Sequence, residues 1–279
     1  KKSLLIIKIF KNHNSKIVSV LDDKTLDCYV AILATFLDNK VYVPLNTKFP
    51  IEKNQHILNS SNVDTILCGS KYKKNGHELK KKIKNNLLKI VNVKDMLSKK
   101  NNLKILNFTK SNSNKTAYIL FTSGSSGNPK GVEIKNRNLS QYINCLKKRH
   151  KFNSNDRFSN NFDLTFDLSL HDLFVCWSNG SCLFVPDKNY FFNPSFFIKK
   201  NKITCWFSVP SLAQNMLTSN QLKANSFPSI KYSAFCGEAL SSDIAKNWQK
   251  SAPNSSLENL YGPTESTIAV MGYKWNKKK

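Results

Sequence analysis

AYILFTSGSSGNPKG, residues Ala117–Gly131, carries an apolar run into a loop of hydroxyls and glycines and then to a lysine. Ala117–Phe121 reads as a buried strand. Beyond it, small residues let backbone N–H groups turn toward an anion with no Cβ in the way. Thr122, Ser123, Ser125 and Ser126 add hydroxyl donors, Gly124 and Gly127 add backbone freedom, and Lys130 adds a point charge. That chemistry suits a polyphosphate. The spacing is not that of a Walker A loop, because Pro129 stands five residues after Gly124 and no Lys-Ser or Lys-Thr pair follows a glycine. It is not a G-x-S-x-G hydrolase elbow either. Taken alone, the segment has a flexible Gly/Ser turn as its less favoured reading.

Working outward, strand and helix signals alternate. On the N-terminal side, strands are expected at Lys16–Leu21, Val41–Pro44 and Thr65–Cys68. Helices are expected over Leu26–Leu37, from Pro50 to about Ser60, and weakly around Leu79–Leu88. On the C-terminal side, Asn138 is placed to cap a helix through about Lys148. Leu168–Trp177, Phe196–Lys200, Ser211–Leu217 and Ser242–Gln249 then look helical, between strands at Cys182–Val185, Cys205–Val209 and Tyr232–Cys236. This alternation implies layered α/β structure with largely parallel sheets. We expect two α/β lobes: 1–150 with the phosphate-binding loop, and 151–279 with the substrate pocket and a nucleotide motif.

Composition narrows the function classes. The 279 residues carry 43 Lys and Arg against 18 Asp and Glu, a formal charge of +25. Only Arg137, Arg149 and Arg157 are arginines, although phosphate and base recognition favours the planar guanidinium fork. The lysines come with abundant Asn, Ile and Phe along the whole chain, as an A- and T-rich coding sequence would produce, so no nucleic-acid partner is expected. The positive field instead favours ATP, pyrophosphate and an acidic protein partner. Seven scattered cysteines form no C-x-x-C pair and no zinc spacing, so neither a disulfide nor a structural metal is expected. No apolar run is long enough to span a membrane, and no export signal is visible, so a cytoplasmic protein is expected. The first residue is Lys1, and the native N-terminus is expected upstream.

Of only nine glycines, Gly124, Gly127, Gly131, Gly237 and Gly262 fall in three short segments. A chain this poor in glycine keeps it where the backbone demands it. The first segment, FTSGSSGNPKG, resembles the phosphate-binding signature of the adenylate-forming (AMP-binding) superfamily, which includes acyl-CoA synthetases, luciferases and amino-acid adenylation domains. Further motifs follow in the family's order. Asn259–Glu265, NLYGPTE, resembles its nucleotide motif, and Cys236–Leu240, CGEAL, resembles the segment that runs along adenine. Phe166–Asp172, FDLSLHD, resembles the amino-acid-activating branch, and Ala31–Pro50 resembles an early family block. The likeness covers about residues 16–273. A finer likeness, to D-alanine–carrier protein ligases, rests on FDLS and on Phe235–Glu238.

The resemblance implies the following roles. Thr122–Gly131 is the loop over the β- and γ-phosphates of ATP. Gly237, Glu238 and Ala239 run along adenine, and Tyr261, followed by Gly262, lies against it. Thr264 meets the α-phosphate, while Glu265, with Thr122, holds Mg²⁺. Thr264, Glu265 and Lys130 are the catalytic set. Asp167 pairs with a substrate α-ammonium, a cation whose unpaired burial costs several kcal/mol (roughly 3–5); the alternative is that Asp167 only caps a helix starting at Leu168. Leu168, His171, Phe207, Ala234, Cys236, Leu260 and Ile268 line the side-chain pocket, whose apolar character favours a small or apolar amino acid. His171 reads equally as a packed core histidine.

The implied activity is ATP-dependent formation of an aminoacyl-adenylate, then transfer to the phosphopantetheine thiol of an acyl or peptidyl carrier protein, as in nonribosomal peptide synthesis. An acyl- or aryl-CoA ligase is the alternative enzyme. A non-catalytic ATP- or carrier-binding remnant is the alternative of another class. The family continues past YGPTE into a ribose-binding aspartate, a hinge and a small domain with a catalytic lysine. The chain is therefore expected to be the N-terminal core of the fold, with the C-terminal domain absent.

Overall fold

The computed structural model describes residues 2–83, 87–98, 112–122, 129–187, 190 and 192–276. The chain folds as two compact units, Lys1–Leu139 and Ser140–Lys279. The division falls inside a helix, upstream of the expected boundary near residue 150. Side chains in and just beyond the second half of that helix explain the position: Tyr142 bonds to His171, and Arg149 and His150 bond to Glu258, all within the second unit.

The first unit runs α1 (Lys2–His13), β1 (Ile17–Leu21), α2 (Leu26–Leu37), β2 (Val41–Leu45), α3 (Ile51–Ser60), β3 (Thr65–Cys68), α4 (Lys73–Lys82), β4 (Lys89–Asn92), α5 (Val93–Leu97), β5 (Thr116–Thr122) and β6 (Lys130–Lys135). Its six-stranded sheet has the order β4-β3-β1-β2-β5-β6. Every pairing is parallel except β5 with β6. Strands such as Thr65–Cys68 are buried along their whole length, as expected where both faces of a parallel sheet are covered. Thr25 caps α2 by accepting from the Cys28 N–H. Pro44 is tolerated inside the sheet because β2 pairs with β5 only at Tyr42↔Tyr118, so no N–H is required of it on that side.

The second unit begins within α6 (Asn136–Arg149) and continues β7 (Arg157–Ser159), α7 (Leu168–Ser178), β8 (Cys182–Phe184), α8 (Pro194–Asn201), β9 (Cys205–Ser208), α9 (Pro210–Thr218), β10 (Tyr232–Phe235), α10 (Ser242–Ser251), β11 (Ser256–Tyr261) and β12 (Met271–Lys274). Its sheet order is β12-β11-β10-β9-β7-β8, parallel except at β11–β12. Trp206 and Trp248 anchor the core beside Phe227 and Phe235. Their buried indole N–H groups donate to Ser208 Oγ at 2.9 Å and Ser233 Oγ at 2.8 Å. Each large apolar ring is thus buried without an orphaned donor.

The fold is α/β with two mostly parallel sheets. The helix expected around Leu79–Leu88 lies earlier, as α4, because Ile83 already has extended backbone and β4 follows. The seven cysteines are free thiols, five of them buried. Among the described residues no helix is long and apolar enough to cross a membrane.

Candidate active site

In the second unit β9, β10 and β11 run parallel and end at Ser208, Phe235 and Tyr261. In open parallel sheets this carboxyl edge is where ligands bind. CGEAL leaves β10 there, YGPTE leaves β11 there, and FDLSLHD supplies the start of α7.

Asp167 stands at the N-terminus of α7 with helical backbone and makes no side-chain capping bond. It is 7% exposed, and its Oδ2 has no hydrogen-bond partner. Burial pushes its carboxyl up to about 6, and hydrogen bonding from the Leu168 backbone, the Thr264 side chain and the Ile268 backbone reverses only part of that. Asp167 is therefore brought beside the turn that follows YGPTE. Its local path is set by Asp163, whose carboxylate accepts from the Thr165 N–H and hydroxyl at 2.9 and 2.7 Å.

One helical turn on from Asp167, His171 is buried. Its Nδ1 and the Tyr142 hydroxyl are hydrogen-bonded at 2.8 Å, and its Nε2 has no partner. Burial, followed by the neighbouring His150, lowers its pKa to about 3, so the ring is neutral. The ring lies 4.4 Å from Phe207, which meets Phe162 edge-on at 4.8 Å. Ala234 is the β10 partner of Phe207 in register, and Leu168, Cys236, Leu260 and Ile268 are buried. Burial pushes the Cys236 thiol up to about 11; the Gly237 backbone lowers it in part, and nearby Asp167 raises it further. Gly237 has φ +92, a conformation that L side chains rarely adopt, and a Cβ there would lie 3.6 Å from Leu168 Cδ1.

Gly237, Glu238 and Ala239 are exposed as the chain leaves β10. The Glu238 carboxylate accepts from the Ser211 N–H at 2.9 Å and its hydroxyl at 3.0 Å, satisfying the first turn of α9. Tyr261, at the end of β11, is 67% exposed. Thr264–Ser266 form a single 3₁₀ turn with Glu265 exposed. Thr267 and Ile268 follow at φ 70 and 68, a costly backbone for two β-branched residues. Among the described residues no group of three or more His, Cys, Asp or Glu could hold a metal ion.

In the first unit the β5–β6 ladder sets Thr122 opposite Lys130 and Phe121 opposite Gly131. Lys130 is exposed and Thr122 half-buried. Ser123, Gly124, Ser125, Ser126 and Gly127 lie outside the described residues. Tyr142, the partner of His171, was not singled out from the sequence; it lies 29 residues upstream with no local pattern to mark it.

Residues 9–279 match the family described as AMP-binding enzyme. The chain belongs to this family. Among relatives it is 28% identical over 268 residues to the D-alanine–D-alanyl carrier protein ligase of Listeria welshimeri, covering 95% of the chain and 52% of that protein. Among solved structures it resembles the Vibrio cholerae adenylation domain AlmE in complex with glycyl-adenosine-5'-phosphate, at 30% identity and TM-score 0.86, covering 98% of this chain and 55% of that one. It resembles IdnL7 at 27% identity and TM-score 0.87, covering 100% and 57%. The chain spans about half the length of the curated relatives it matches.

Proposed function

We propose that the protein activates a small, uncharged amino acid with ATP as the aminoacyl-adenylate, for transfer to the phosphopantetheine thiol of a carrier protein. The observation that carries this is Asp167: a buried carboxylate with one oxygen unpartnered, at the start of the helix that also presents His171. An unpaired buried charge is costly and invites a cation, and the substrate α-ammonium is that cation. A fatty acyl or aryl substrate supplies none. The proposed lining adds no charge at His171, which is neutral, and Phe207 and Leu260 are large buried apolar side chains that suit a small substrate. A ligase for D-alanine and a complex with a glycyl adenylate among the similar proteins support the same size class.

In this reading Tyr261 and the open Gly237–Ala239 backbone hold adenine, and Thr264 faces the α-phosphate. Lys130 and Thr122 meet the outer phosphates. The lone exposed Glu265 fits Mg²⁺, an ion that takes one or two carboxylates and otherwise phosphate and water. When bound, Mg²⁺ neutralises phosphate charge. The amino-acid carboxylate oxygen forms a bond to the α-phosphorus while the bond to the pyrophosphate oxygen breaks. The protein's share is to orient these groups and hold charge.

Amino-acid-dependent ATP–pyrophosphate exchange, run with D and L amino acids across pH, tests the proposal. Glycine or alanine is expected to give the strongest signal. The Asp167 carboxyl, raised from an ordinary 3.8 to about 6, must be ionised to hold the ammonium. kcat/KM for the amino acid should therefore be steady above about pH 6 and fall about tenfold per unit below it. The same shift contributes stability to the unliganded chain at acid pH that is lost as pH rises through about 6. Exchange driven by carboxylic acids without an amino group would count for a CoA-ligase reading instead.

A further inference from the structure

In the first unit, His56 on α3 touches both roots of the glycine- and serine-rich segment. Its Nε2 lies 3.0 Å from the Pro129 carbonyl oxygen, immediately before Lys130. Its ring meets Phe121, immediately before Thr122, edge-on at 6.2 Å between centroids. A carbonyl only accepts, so Nε2 carries the proton and Nδ1 does not need one. Pro129 has no N–H to give, so its carbonyl is the one backbone group that this residue offers for hydrogen bonding. Ser60 Oγ, 3.5 Å from the same Nε2, is the weaker contact. Phe121 is itself placed by Gly131: a Cβ at Gly131 would come within 3.2 Å of the Phe121 ring. The imidazole thus ties Thr122 and Lys130 to a helix from the middle of the unit.

We propose that His56 is a positioning residue that holds Lys130 and Thr122 in register for the outer phosphates of ATP. It rests on the reading that these two residues meet phosphate. A lysine ammonium on a flexible stem binds a triphosphate better when its backbone is fixed in advance, because less freedom is lost on binding. His56 touches no substrate, and its effect is confined to ligands that reach the β- and γ-phosphates.

The test compares the full chain with His56→Phe, which keeps the ring and loses the donor, and with His56→Gln, which keeps a donor and loses the ring. Dissociation constants for MgATP and for AMP are measured by titration calorimetry, alongside thermal midpoints. His56→Phe should weaken MgATP about three- to tenfold, the scale of one lost hydrogen bond, and leave AMP unchanged. His56→Gln should recover most of the loss. Wild-type MgATP affinity in His56→Phe, or an equal loss for MgATP and AMP, would overturn the inference. A wild-type chain that binds neither nucleotide overturns the proposed function, and this inference with it.

Discussion

Asp167→Ala is expected to abolish detectable amino-acid-dependent exchange while leaving the protein folded. Removing one partner of a buried ion pair costs about 2–5 kcal/mol of binding, roughly 30- to 5,000-fold in affinity. Here the loss falls on the substrate, because the described residues offer Asp167 hydrogen bonds but no cation. The unliganded chain loses the hydrogen bonds that reach Asp167 from Leu168, Thr264 and Ile268, but it is also relieved of a buried carboxylate whose Oδ2 is unpartnered, so the net change in stability should be small. At pH 8 the variant should be at least as stable as the wild type, the usual relation where a site holds a strained or unpaired group for its ligand. The check is exchange together with denaturant unfolding. A variant that loses exchange only because it unfolds would show that Asp167 is structural.

Gly262→Ala is expected to damage both stability and nucleotide binding. A Cβ at this position would stand 2.6 Å from Ala269 Cα, 2.9 Å from Val270 N and 3.0 Å from Ile268 O. All three are backbone atoms, so the chain itself must move. The Val270 N–H donates to the Tyr261 carbonyl at 2.9 Å, and that link closes the turn. Displacing it shifts Ile268, which bonds Asp167 through its backbone, and it tilts Tyr261. The destabilisation should be about 1–3 kcal/mol by denaturant titration, the range for inserting a methyl into a closed space. AMP affinity should fall at least about tenfold, since aromatic stacking and the turn are lost together. Wild-type AMP affinity in this variant would show that the turn does not shape the nucleotide site.

Strands and helices with one clear period were legible in the sequence. Leu26–Leu37 and Thr65–Cys68 have the bounds expected of them, because each is a simple apolar pattern between polar ends. The helix Lys2–His13 was not anticipated: KSLLIIKIF is a short apolar run that reads as strand or helix, with no capping residue to decide. Strand Ser256–Tyr261 was not marked as a strand either, because it carries Glu258 at its centre. Burial alone would raise that carboxyl, but His150 and Arg149 outweigh it and hold it below the usual carboxylate range. Those partners, the last residue of α6 and the one after it, stand more than a hundred residues upstream, and no local signal pairs them. Strands Lys130–Lys135 and Met271–Lys274 sit at sheet edges and are largely exposed, so they lack the apolar pattern that marks a strand.

The motif residues were legible because glycine and proline must stand where the backbone turns at the sheet edge. Their supports were not. Tyr142 behind His171, His56 behind Pro129, and Ser211 under Glu238 are ordinary residues whose roles come from tertiary placement. The burial of Asp167, on which its proposed pairing with an ammonium rests, is likewise a property of the packed unit.

The central claim is that the buried Asp167 carboxylate reads an amino group beside an adenylate. The most direct measurement is the binding of glycyl- and alanyl-sulfamoyladenosine to the chain at pH 7.5 by titration calorimetry, against the acetyl and propanoyl compounds that differ only in lacking the amino group. The account predicts that each amino compound binds at least about 30-fold more tightly than its counterpart, and that Asp167→Ala removes the difference. Equal affinities in the wild-type protein would contradict it.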